Sequence, residues 1–78
     1  MNDRHKCEAC TRIISKGIRW NSLMKYGKEL CFVCQAIENI NKYGEYVAET
    51  SNHALMHTYG VTQEMIDTNK KLPYWKNF

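Results

Sequence analysis

Ser22-Leu23-Met24-Lys25-Tyr26-Gly27-Lys28-Glu29-Leu30-Cys31-Phe32-Val33-Cys34-Gln35 is the stretch that decides the fold. It places two thiols three positions apart, with a turn glycine ahead of them and an amphipathic run directly after. The same C-x-x-C spacing occurs once more, at Cys7 and Cys10, about twenty residues upstream. Each short pair bends round one side of an ion, and the segment between the pairs returns the chain to the other side. Cys7, Cys10, Cys31 and Cys34 are therefore read as the four thiolate ligands of one tetrahedral, structural Zn2+.

Other uses of paired cysteines fit less well. A disulfide scaffold needs an oxidising compartment, yet Met1 to Lys6 are polar and charged with no apolar signal core. The expected location is cytoplasmic. A redox dithiol would place one pair in a strand-to-helix motif, and neither Cys7-Glu8-Ala9-Cys10 nor Cys31-Phe32-Val33-Cys34 sits in an evident one. Iron on four thiolates is the remaining alternative, without the Gly and Pro residues usual around such knuckles.

Ser22, Tyr26, Gly27, Lys28, Leu30, Cys31, Cys34 and Gln35, following Cys7 and Cys10, match the pattern C-x-x-C, then S-x-x-x-Y-G-K-x-L-C-x-x-C-Q. The chain thereby resembles small treble-clef or zinc-ribbon modules found beside nucleic-acid-processing proteins of phages and mobile elements in Gram-positive bacteria. The resemblance covers roughly residues 7 to 36, under half of the chain. It implies a zinc site and a nucleic-acid context, and no particular activity. Such modules are usually appended to a larger domain.

Seventy-eight residues allow a single domain over 1–78, read as a zinc module with its helix over 5–43 and a helical extension with an aromatic tail over 44–78. The fold class is a small metal-stabilised α+β: an N-terminal four-cysteine, treble-clef-like zinc knuckle followed by a mainly α-helical C-terminal half. So short a chain buries too little surface to be comfortable without a staple. Structural zinc, at about 10 kcal/mol or more, supplies it.

The formal charge of +3 falls to about +1 once four thiolates and a divalent ion are counted. Distribution is more informative than the total. Arg12, Lys16, Arg19, Lys25 and Lys28 follow one another with no acidic residue before Glu29, and Trp20 and Tyr26 lie among them. A basic segment with interleaved aromatics holds phosphates and stacks bases. The competing reading is a solvated loop whose Trp20 packs over the metal site.

Ile13, Ile14, Ile18 and Trp20 around Lys16-Gly17 read as two short extended pieces joined by a turn. Ser22 reads as the N-cap of a single helical turn closed by Gly27. From Cys31 the periodicity is helical, with Phe32, Ala36, Ile37, Ile40 and Tyr43 on one face and Gly44 ending it. Tyr46, Val47, Leu55, Met56 and Tyr59 suggest a second helical region, restarted near Ser51 or Asn52 and ended by Gly60. Thr62 caps a third, which carries Met65, Ile66 and Leu72 up to Pro73. Tyr74, Trp75 and Phe78 either fold back onto the helices or anchor a protein partner.

Leu55, Tyr59, Gly60, Val61, Thr62 and Ile66 have the cadence of a DNA-binding helix-turn-helix, but Glu64 and Asp67 on the would-be reading face repel phosphate. A plain helical hairpin packed on the zinc module is the better reading. His53 and His57, at i and i+4, point the same way on a helix and suit a second metal, with no third or fourth ligand evident nearby. They read as exposed or cap-proximal residues. No nucleophile–base pair, carboxylate pair or phosphate-cradling loop can be placed in one site, and a four-thiolate zinc leaves no open position. The chain is read as not an enzyme.

Two functions remain. One is a zinc-binding accessory module touching nucleic acid, or a nucleic-acid-processing complex, through Arg12, Lys16, Arg19, Trp20, Lys25, Tyr26 and Lys28. The other is a small phage-type regulator that blocks a host protein by occlusion, with zinc purely structural. No apolar run approaches a membrane span, and neither reading includes a membrane or a small-molecule substrate.

Overall fold

The computed structural model describes residues 5–77. Two short strands, β1 (His5–Lys6) and β2 (Ile13–Ile14), pair antiparallel with His5 opposite Ile14 and Lys6 opposite Ile13. The first cysteine pair is the hairpin turn between them. Four helices follow, α1 (Lys16–Tyr26), α2 (Phe32–Tyr43), α3 (Glu45–Thr58) and α4 (Gln63–Lys70), then a 3-10 turn, Pro73–Asn77. This is a small α+β chain with a cysteine-bearing N-terminal module and a helical C-terminal half.

The segment read as two extended pieces is instead one strand and an eleven-residue helix. Ser15 is extended and its hydroxyl accepts from the Ile18 N–H, so it caps α1. Gly17 falls in the first turn, where amides have no intrahelical partner to lose. Gly27, at φ 71°, closes the helix by donating to the Leu23 carbonyl. Ile18, a β-former by propensity, packs on the core from a helix.

Ser22 is not a cap. It lies fully buried in the last half of α1, where its hydroxyl donates to the Lys28 carbonyl and accepts from the Leu30 N–H at 2.8 Å. One side chain thereby satisfies two backbone groups of the loop that delivers Leu30 and Cys31 to the core. The Gln35 amide donates to the Leu30 carbonyl at 3.0 Å and fixes the same loop from α2.

α2 is the central element. Val33, Cys34, Ala36 and Ile37 are buried and belong to one cluster with Cys7, Ile14, Leu30, Cys31, Leu55, Val61, Ile66 and Trp75. Tyr43, assigned to this face by periodicity, is half exposed at the end of the helix. Gly44, at φ 85°, ends α2 and begins α3, so the chain reverses within one residue that L side chains rarely fit.

α3 runs unbroken through Ser51 and Asn52. Its buried stripe is Ala48, Asn52 and Leu55, whereas Tyr46, Val47 and Tyr59, among the apolar residues that suggest the helix, are exposed. The physical reason is a buried polar chain. Tyr26 donates to Asn39 Oδ1 at 2.9 Å, Asn39 donates to Asn52 Oδ1 at 2.8 Å, and Asn52 donates to the Ala36 carbonyl at 3.2 Å. With the small Ala48 it sets which face of α3 meets α2.

Thr62 caps α4 as expected, accepting from the Met65 N–H, and Ile66 is the residue α4 buries. α4 packs chiefly on α2, with Glu64 and Asp67 exposed. Trp75 folds back into the core and Tyr74 packs beside it, edge to face at 4.8 Å. Phe78 lies outside the described residues.

Candidate metal centre

The first cysteine pair is shaped by its own hairpin. The Cys7 N–H donates to the Arg12 carbonyl, the Thr11 N–H to the Cys7 carbonyl, and the Cys10 N–H reaches Cys7 Sγ at 3.5 Å. Closing so tight a knuckle puts Thr11 at φ 62°, a left-handed conformation unfavourable for a β-branched residue. Here threonine stands where glycine would be unstrained. The Glu8 N–H donates to the Glu29 carbonyl at 2.8 Å and ties the knuckle to the loop that carries the second pair.

The second pair sits at the start of α2. Cys31 is its extended N-cap and Cys34 lies in its first turn, where unsatisfied amides and the positive end of the helix favour thiolate charge. The four Sγ atoms, of Cys7, Cys10, Cys31 and Cys34, lie within 4.8 Å of one another, and none is in a disulfide. Cys7, Cys31 and Cys34 are buried, while Cys10 is partly open. Cys10 and Cys31 Sγ are 3.5 Å apart.

The donor set fits a cation. Contacts from the Cys31 thiol, then the Cys34 thiol, hold the Cys7 sulfur far below the ordinary thiol range, against the opposing effect of burial. Cys31 is lowered by its contact to Cys34, but the contact to Cys7 and burial outweigh this and push it up to about 12. Cys34 is raised strongly by its contacts to Cys31 and Cys7 and by burial. Burial and crowding by neighbouring sulfurs disfavour ionisation of Cys31 and Cys34, and a divalent ion is what offsets that cost. Asn69, on α4, donates to Cys34 Sγ at 3.6 Å, a contact with no signal in the local sequence. It places the C-terminal half directly on a ligand, and such outer contacts orient and tune metal ligands.

The basic segment divides. Arg19 is paired with Glu29, whose carboxylate also lies 3.8 Å from His5 Nδ1, and Lys28 is 3.2 Å from Glu38. Tyr26 is half-buried and committed to Asn39, with its hydroxyl pKa raised mainly by burial. Arg12, Lys16 and Lys25 are exposed and form no ion pair among the described residues. Trp20 does not cover the metal centre. It is 61% exposed, and Met24, one turn on, is 79% exposed. With Lys16 they form an i, i+4, i+8 stripe along the outside of α1. Met24 was not singled out by sequence, because its spacing from Trp20 matters only once α1 is a helix.

Comparison with known protein families, curated proteins and solved structures finds no match to this chain. No helix among the described residues is long and apolar enough to cross a membrane.

Proposed function

We propose that the chain is a non-catalytic, zinc-organised binding protein that docks a polypeptide partner on the outer face of α1. Zinc on Cys7, Cys10, Cys31 and Cys34 shapes a treble-clef-like module, in which the second pair opens a helix. The observation that carries the reading is the exposure of Trp20 and Met24 on a helix with no acidic residue, flanked by Lys16 and Lys25. A buried role would hide the indole, and an idle surface would not leave it beside a still more exposed methionine. Aromatic and methionine side chains are enriched at interface centres, and Trp is prominent among energetic anchors. The surrounding cations select a partner surface that is acidic as well as apolar. The resemblance of residues 7 to 36 favours a partner in nucleic-acid-processing machinery, and the near-neutral charge of the zinc-loaded chain equally suits a host protein blocked by occlusion.

A second reading is supported by the same indole with Arg12, Lys16 and Lys25, which together suit a single strand of nucleic acid. It has fewer cations than the basic run suggested, since Arg19 and Lys28 are paired with carboxylates. The deciding experiment uses zinc-loaded wild type, Trp20→Ala and Met24→Ala. A polypeptide retained by wild type after nuclease, and lost with either variant, supports the protein-docking reading. Anisotropy of labelled oligonucleotides across a salt series tests the alternative. Binding that weakens linearly in log salt, and by about 1–3 kcal/mol on single strands in Trp20→Ala, would overturn protein docking in favour of nucleic acid.

A further inference from the structure

We propose that His53 and His57 on α3 form a second metal site, open and exchangeable, for a borderline divalent ion such as nickel, copper or zinc. The two imidazoles are one turn apart towards the C-terminal end of the fourteen-residue helix α3, and both are exposed. Their rings lie over one another with centroids 4.2 Å apart and planes 27° from parallel. Metal–nitrogen bonds of about 2.0 Å put two chelating nitrogens roughly 3 Å apart. Rings already stacked this closely reach that spacing by side-chain rotation, with no change in the helix. Apart from this stack, neither ring has a hydrogen bond or ion pair among the described residues, so no existing contact must be broken.

The surroundings favour a cation. His57 lies in the last turn of α3, at the negative end of the helix. Glu49 stands one turn before His53 on the same stripe and is also exposed. Imidazole donors select nickel, copper or zinc over magnesium and calcium, which take oxygen ligands. Two protein donors leave the remaining positions to water, so the ion exchanges, unlike one enclosed by the four thiolates. Neither histidine belongs to the cysteine cluster.

The test is calorimetric titration of nickel(II) into zinc-loaded protein, with a chromogenic indicator reporting any zinc released. The expected result is uptake of a single nickel without zinc release. His53→Ala and His57→Ala should each weaken it about tenfold or more, because each removes the intramolecular advantage of the second donor. His5→Ala should leave it unchanged. Both α3 histidines are exposed, so these variants keep the fold, which helical circular dichroism checks. No nickel uptake by wild type, equal affinity in wild type and both α3 variants, an equal loss in His5→Ala, or uptake matched by zinc release would each overturn the proposal.

Discussion

The N-terminal and C-terminal halves of this molecule are built around different features, a cluster of four thiols and packed helix faces. Residues 5–43 contain strands of two residues each, a strained knuckle turn and a loop pinned by one serine, all converging on four thiols. Residues 44–77 are helices that bury Ala48, Asn52, Leu55, Ile66 and Trp75, with α3 and α4 packed on α2. A ligand-held region tolerates poor local propensity because a few strong bonds fix it. A packing-held region has no such anchor, and each of its contacts is worth a few kcal/mol at most. The two halves also share one hydrophobic cluster, with Cys34 and Ile66 among its members. Loss of the metal should therefore reach both.

The largest effect tests that dependence. Cys31→Ser, or a strong chelator, should remove a contribution of about 10 kcal/mol or more and abolish the ordered fold. Metal analysis with hydrogen exchange checks this. Amides of α3 and α4 that stay protected while 5–43 exchanges would break the comparison by giving the C-terminal half a stability of its own. Reloading at pH 7 should release protons from Cys31 and Cys34. Both are raised in the metal-free protein, Cys31 to about 12, and so carry their protons at neutral pH until the cation displaces them. Calorimetry in buffers of different ionisation heat measures the release.

Trp75→Ala comes next. It empties a buried indole site, and about 3–5 kcal/mol should be lost in urea unfolding while metal content is unchanged. If metal affinity falls in step, the tail supports the ligands rather than only the packing.

Asn52→Ala removes the middle of the polar chain linking Tyr26, Asn39 and the Ala36 carbonyl. It leaves buried groups unsatisfied, at about 1–3 kcal/mol. A leucine at position 52 would sharpen the point: if it restores stability but broadens the NMR signals of α3, the amide chain specifies register more than it stabilises.

The smallest expected effect is a gain. Thr11→Gly relieves the left-handed strain at φ 62°, partly offset by the freer unfolded chain, for a net increase of about 0.5–1 kcal/mol in melts of the metal-loaded protein. A decrease would mean that the Thr11 hydroxyl, which donates to the Cys10 carbonyl at 2.6 Å, matters more than the backbone strain.

The same contrast explains what was legible. The thiol cluster could be read from spacing because ligand chemistry is local: two C-x-x-C pairs have few other uses. The start of α2 at Cys31, its end at Gly44 and the Thr62 cap were readable for the same reason, since caps are short-range signals. α1 was misread because Ile13, Ile14 and Ile18 argue for strand while the Ser15 cap is a single residue, and packing of Ile18 and Ser22 decided the matter. The inward face of α3 was not legible because aromatics outrank asparagine on any hydrophobic scale. Asn52 is buried only because Asn39 and the Ala36 carbonyl await it.

By itself, then, the sequence determined a cluster of four thiols, the helix that opens on it, two further helices of which the second is capped at Thr62, and an apolar tail. Each rests on a contact between near neighbours in the chain or on the fixed chemistry of sulfur. Only the tertiary structure decided that α1 is a helix presenting Trp20 and Met24 to solvent. It alone decided that Arg19 and Lys28 belong to Glu29 and Glu38, and that Asn69 reaches Cys34. These depend on which faces meet across ten to thirty-five residues of chain or on which face of a helix is left uncovered. Burial and hydrogen-bond satisfaction choose among such pairings, and neither is defined until the whole chain has packed.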